Sequence, residues 1–380
     1  ISIQSKIVDA NLSGKIDYSS VSQNISYQLA QIIPALNPGT DMDVKDELTH
    51  FKYDIKFKEI NDLLSVFVPS LKIADQATID GYYNGKLNNI GVNINADYVS
   101  YDSIRINNIS ALQEVSNREL LALIDVSTIT INDSLAFKNL HFTGLAANAT
   151  IDSQLLFEDP TSSRSNVEWF TELRDDGGFD IAILPSYINI NEHQWNLKKT
   201  AEINYADSCF MIQGLKLEHE DQYISANGQL SNSNFDRLYI DIMDLNLDEL
   251  GNIAGPDVKL SGIANLAGYI TTPVTNLQFF GEAIIEEFFI NSTEVGNVSF
   301  GADYQSENEK IKMFGDIFYR NEQTFAFKGN YLLREEDKNS RLDYTMNFKS
   351  TDISVVNEFL DPDVVKSLQG KLEGSLTLTG

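Results

Sequence analysis

Cysteine is almost absent: Cys209 stands alone among 380 residues, so no disulfide can form within the chain. That excludes a stapled secreted module but not an oxidising compartment. Cys209 opens the apolar run Cys209-Phe210-Met211-Ile212 and reads as a small buried hydrophobe in a strand. Basic residues are also scarce, 28 against 55 acidic ones, which gives a formal charge of −27. Phosphate backbones and anionic headgroups would repel such a chain, which excludes nucleic-acid binding. No run reaches the roughly 18–20 apolar residues of a membrane span. The four histidines, His50, His141, His193 and His219, are far apart. Without an HxxxH or HExxH pair they read as strand or surface residues rather than zinc ligands. G-x-S-x-G, Walker A and G-x-G-x-x-G sequences are missing as well. No enzyme activity, metal or cofactor is therefore expected. Ile1–Asp9 lacks a signal-peptide pattern, and the last residues stop in mid-alternation, so the chain reads as an interior piece of a longer protein.

Aromatic residues are plentiful, with Phe 21 and Tyr 16, and apolar residues recur with period two. Leu342, Tyr344, Met346 and Phe348 alternate with polar or charged neighbours, as do Val298, Phe300, Ala302 and Tyr304. Ile311, Met313 and Ile317 form a third set, followed by a polar turn expected at Asn321–Gln323. Phe325, Phe327 and Tyr331 resume the alternation as the return strand of a hairpin. Ile240 and Ile242 belong to another strand of the same kind. The expected fold is mostly β: an elongated, curled antiparallel sheet with one apolar face and a few short amphipathic helices. The acidic stretches 161–180 and 334–340 read as solvent loops.

One helix is expected over about 20–33, with Val21, Ile25, Leu29 and Ile32 as its apolar stripe, capping the sheet. Shorter stripes, Ile60, Leu63, Leu64 and Phe67 before Pro69, and Ile353, Val356, Phe359 and Leu360 before Pro362, flank strands in the same way. They suggest an uneven repeat of strand, short helix, proline stop and glycine-flanked strand. The modules would run over 1–50, 51–234, 235–340 and a truncated 341–380. Asp102-Ser103-Ile104 and Asp133-Ser134-Leu135 match the Asp-Ser-aliphatic pattern of periplasmic O-glycosylation, making Ser103 and Ser134 candidate acceptors.

The stretch Leu184-Pro185-Ser186-Tyr187-Ile188-Asn189-Ile190-Asn191 with Trp195 resembles a recurring signature of the TamB family. So do Ile212–Leu217, Gln222–Gly228, Leu238–Ile242 and Gly281–Gly296 followed by Val298-Ser299-Phe300. The resemblance covers most of Asp180–Gly380. It implies an AsmA-like, bridge-like lipid-transfer architecture whose apolar concave side holds acyl chains. It also implies a periplasmic location within an inner-membrane-anchored protein that reaches the outer membrane. The implied partners are phospholipid and a BamA/TamA-like outer-membrane β-barrel protein, the latter through parts of the longer protein absent here.

A sheet that is apolar on one face must bury that face against another sheet, against itself, or against something that fills a groove. The family resemblance favours the groove. The expected function is passive conduction of phospholipid between inner and outer membranes. A scaffold that assists outer-membrane barrel assembly by strand addition is the alternative. A glycan-binding β protein ranks third.

Overall fold

A computed structural model describes residues 1–18, 21–34, 49–132, 135–233, 235–251, 258–271, 278–306, 309–333, 342–354, 357 and 367–380. Among them are 25 strands, all in antiparallel sheet, two α-helices and one 3-10 turn. The mostly β class expected from alternation is what the chain forms. Contacts divide it into two units: residues 1–194 with 204–206, and residues 195–203 with 207–380.

In the first unit, His50–Phe57 pairs with Val8–Lys15 on one side and with Thr78–Asn84 on the other. From there each strand pairs with the next: Asn89–Tyr101, Ile104–Ser116, Glu119–Ile131, Leu135–Ala147, Thr150–Glu158 and Arg164–Leu173. Two-residue turns close several hairpins, and both turn residues have positive φ at Asn117-Arg118 and Asn148-Ala149. Asparagine supplies the first of these positions because it tolerates the left-handed region that a tight hairpin demands.

Arg164–Leu173 is a strand, not the solvent loop expected over 161–180. Its alternation of Val167, Trp169 and Thr171 lies between acidic flanks that mask it in the sequence. Near its C-terminal end it pairs with Phe179–Ile183, and Asn166 then faces Tyr187 of Ser186–Ile190. The change of partner falls at Leu184-Pro185, where proline has no N–H to offer a ladder. Serine hydroxyls fill the gap. Ser186 Oγ accepts the Glu168 N–H at 3.1 Å, and Ser165 Oγ accepts the Asn189 N–H at 2.9 Å.

The loop before this strand is built on Asp159, which is only 2% exposed. Its Oδ1 accepts the Thr161 hydroxyl at 2.6 Å and the N–H groups of Thr161 and Ser163, each at 2.9 Å. Its Oδ2 takes the Glu192 N–H at 3.3 Å. Burial alone would raise the pKa of this carboxyl, but these donors outweigh it and hold the group below its ordinary value.

In the second unit, consecutive strands again pair: Cys209–His219, Gln222–Leu230, Arg237–Asn246, Leu260–Thr271, Gln278–Ile290, Thr293–Gln305, Lys310–Tyr319, Glu322–Leu332, Leu342–Asp352 and Lys371–Thr379. The turn after Lys310–Tyr319 is Arg320-Asn321, both at positive φ. Gln323, expected in the turn, already belongs to the returning strand. Trp195, 1% exposed, is the largest fully buried side chain and lies 5.7 Å from the His219 ring.

Four strands of this unit carry the same irregularity. The register skips one extra residue between Ile212 and Leu215, Ile242 and Leu245, Ile285 and Phe288, and Phe348 and Thr351. Gly214, Asp244, Glu287 and Ser350 take positive φ at these bulges. Each bulge advances the alternation by one, so Leu245 and Phe288 return to the face held by Ile242 and Ile285. Two bulge amides find side-chain acceptors on the adjoining strand: Asp244 N–H donates to Asn265 Oδ1 at 2.9 Å, and Glu287 N–H to Asn297 Oδ1 at 3.0 Å.

Candidate functional site

Register decides which side chains share a face. Ile317, Phe325 and Phe348 form one cross-strand row, and Gly315, Phe327 and Met346 the next. Met313, Gly329 and Tyr344 follow, then Ile311, Tyr331 and Leu342. These rows continue through Val298, Phe300, Ala302 and Tyr304 to Ile285, Ala283, Gly281 and Phe279. Leu266 then leads to Ile242, and Gly268 to Ile240. All the residues singled out from alternation in this unit therefore occupy one face. Between them, Lys312, Asp316, Lys328 and Asp343 alternate to the other face.

The apolar face is neither sealed nor fully exposed. Tyr344 is buried and Phe300 is 38% exposed; the other residues singled out are half-buried. A closed sandwich or barrel would bury such rows almost completely. The second unit has no α-helix among its described residues that could act as a covering layer.

Rings cover two of the glycines on this face. Phe300 and Phe327 stack at 6.2 Å across Gly315, where an added Cβ would lie 2.6 Å from the Phe327 ring. Tyr344 lies over Gly329 in the same way, with a clash distance of 2.5 Å. The Tyr344 hydroxyl is buried without a hydrogen-bond partner among the described residues, and burial pushes its pKa up. Gly268 and Gly281 sit side by side in the register with no ring over them. Above them opens a concavity of about 410 Å³ lined by Ile240, Leu266, Ile270, Phe279, Ala283 and Phe300, among others. Alternation alone had marked Ile240, Ile242, Phe300 and Tyr304 in this region. It had marked Ala302 as well, but passed over the two glycines and Ala283, because residues so small add little to a hydropathy pattern.

The helix expected near the N-terminus is Val21–Ile32. It lies over the row Tyr83, Ile90, Val115, Leu120, Ala146 and Ile151 of the first unit. At ~18 Å it reaches across about four strands. Ile32 is fully buried against Val115 and Ala146, Leu29 packs on the same cluster, and the Ala149 N–H donates to the Ile32 carbonyl at 2.9 Å. Val21 and Ile25 are only half-buried. The deepest positions beside Ile32 are Asn24 and Gln28, so the helix is rotated from its apolar stripe. The Gln28 amide reaches Tyr83 Oη at 3.4 Å and Asn88 Oδ1 at 3.3 Å, which accounts for a polar residue on the packed side.

The second short helix, Asn61–Phe67, does not cap the sheet as expected: it has no buried residue, and Leu63, Val66 and Phe67 are exposed. Seven residues make too few turns to reach back over the strands it connects. The third stripe, apart from Ile353, falls outside the described residues, as does Ser134. Ser103 is exposed at the hairpin tip between Tyr101 and Ile104.

Asp125, His141 and Thr143 form a line on one face of the sheet, beside Leu123 and Leu156. His141 Nδ1 lies 2.6 Å from Asp125 Oδ1, and Nε2 lies 3.2 Å from Thr143 Oγ1. The order imitates a nucleophile–base–acid relay, but strand Leu135–Ala147 is paired on both sides, so its N–H groups serve the ladder. No free pair of amides remains there to hold an oxyanion.

Comparison with family models, with curated proteins and with solved structures gives no match for this chain.

Proposed function

We propose that this chain is a non-catalytic segment of a periplasmic protein that conducts phospholipid between membranes, its apolar face carrying the acyl chains. The observation behind this reading is an apolar face many strands wide whose side chains stay half-buried, with no α-helix of the same unit among the described residues to cover them. Exposed apolar surface on this scale is a binding surface or a liability. Acyl chains can occupy a long face without a fixed register. Headgroups would remain hydrated beyond its margin. The resemblance of Asp180–Gly380 to the TamB family supports the same reading, including passage toward the outer membrane and a β-barrel partner there.

The test uses two neighbouring residues. Phe327 lies on the apolar face opposite Gly315 and Met346, and Lys328 is exposed on the other face, opposite Phe314 and Thr345. A carboxylate at Phe327 would be costly to dehydrate and would bring water onto the path. Phe327→Glu in the longer protein should abolish rescue of an envelope-defective strain, while Lys328→Glu should rescue like the parent; circular dichroism establishes that both fold. Full rescue by a folded Phe327→Glu would remove the basis of the conduit. Failure of Lys328→Glu alone would shift the working surface to the polar face and favour the scaffold reading.

A further inference from the structure

Gly281 has no reason in the fold to be glycine. Among the described strand glycines, Gly14, Gly214, Gly228, Gly262, Gly296 and Gly374 hold positive φ, which a side chain resists. At Gly81, Gly91, Gly268, Gly301, Gly315 and Gly329 an added Cβ would come within 3.0 Å of a neighbour, and at Gly144 it would lie 3.1 Å from the Phe142 ring. Gly281 differs from all of these. Its φ is ordinary, and a Cβ there would meet nothing nearer than 3.9 Å. An interior strand glycine weakens its strand, and one that the fold does not require marks a place where something else approaches the backbone.

The register shows what has been kept clear. Gly268, Gly281 and Ala302 form a cross-strand row of minimal side chains. Leu266, Ala283 and Phe300 line one side of that row, and Ile270 and Phe279 the other, with the Tyr304 ring 5.5 Å beyond that of Phe279. The result is a trench running across the strands, about 410 Å³ in volume, within the range of ordinary ligand pockets at ~300–1,000 Å³. The chain carries a charge of −27, and the one charged residue of this lining, Glu282, belongs to the floor. Glu282 and Asp303 alternate to the opposite face, and the floor's backbone groups face paired strands.

We propose that Gly281 holds this trench open as a seat for one extended alkyl chain, lying across the strands over Gly268, Gly281 and Ala302. The proposal rests on the lipid reading of this face and refines it: the path has a resting place. An anionic or strongly hydrogen-bonding ligand would lose its water against the apolar side chains of Leu266, Ile270, Phe279, Ala283 and Phe300. A methylene chain has no such bonds to lose.

Photo-crosslinking tests the seat. The whole chain is incubated with phosphatidylcholine vesicles containing a phosphatidylcholine that bears a diazirine midway along one acyl chain. After irradiation, the labelled peptides are mapped by mass spectrometry. In the parent protein, labelling should concentrate on Phe279–Ala283 and Val298–Ala302. Gly281→Leu, whose side chain enters open space, should reduce that labelling at least tenfold while labelling around Phe325–Phe348 persists; Gly281→Ala should reduce it several-fold. Undiminished labelling in a folded Gly281→Leu, or even labelling along the face in the parent, overturns the seat and leaves the conduit standing. Absence of label from the whole apolar face overturns both. Loss of folding in Gly281→Leu also counts against the seat, because it would show that the fold needs this glycine after all.

Discussion

At the scale of single residues, polar groups are decided by their partners and glycines by their neighbours. Asp159 collects a hydroxyl and three backbone N–H groups, so Asp159→Ala should cost about 2–3 kcal/mol, read from urea unfolding at pH 7. Its folded-state pKa is depressed. The stabilisation is therefore complete above the unfolded value near ~3.9 and is lost as pH falls through the folded value. The gap between parent and variant should close progressively below about pH 4; a gap unchanged there would mean that the carboxylate charge is not what the loop uses. Tyr344 presents the opposite case, a buried hydroxyl with no partner among the described residues. Tyr344→Phe should leave stability unchanged or raise it by up to about 1 kcal/mol. Gly315→Val should cost about 1–3 kcal/mol, because the new side chain meets the Phe327 ring and the Ser299 carbonyl. Little of this was legible beforehand. Which residue faces an orphan amide, and which glycine lies under a ring, depends on cross-strand register, and a one-dimensional pattern does not carry register.

At the scale of elements, the strands were the most legible part. Leu342–Phe348 and Val298–Tyr304 announced themselves by alternation, and their pairing put the chosen side chains on one face. The bulges were hidden because their left-handed positions are filled by Gly214, Asp244, Glu287 and Ser350, and only one of these is the residue that advertises such a backbone. Across each bulge the apolar period changes phase, so the continuation from Ile242 to Leu245 reads as a broken pattern. The helices were found but their faces were not. A stripe of Val21, Ile25, Leu29 and Ile32 gives no weight to the bonds that draw Gln28 inward toward Tyr83 and Asn88. Ile32→Ala should cost about 2–4 kcal/mol, since the side chain fills a closed contact with Val115 and Ala146. Hydrogen exchange should find Val21–Ile32 protected and Asn61–Phe67 exchanging rapidly. Rapid exchange throughout Val21–Ile32 would mean that the helix leaves the sheet readily.

At the largest scale, the second unit sets the carboxylates of Asp303, Asp316 and Asp343 on the face opposite its continuous apolar rows. Uptake of the neutral dye Nile red by the folded protein should be unchanged or strengthened by 0.5 M sodium chloride, because screening acts on the charged face alone. A steep loss with salt would place the dye among the charges. The mostly β class was readable from composition and alternation, whereas the trench was not: Gly268 and Gly281, which define its floor, are conspicuous only for what they lack. The order of pairing has a mechanical consequence. From Cys209 to Leu332 every strand is bonded to the strands before and after it in sequence. Tension on the two ends of that run would load its hydrogen bonds one after another, as in opening a zip, rather than all together in shear. In an optical trap it should yield as a staircase of small, low-force steps, each releasing about 40 Å of chain per strand at ~3.3–3.6 Å per residue.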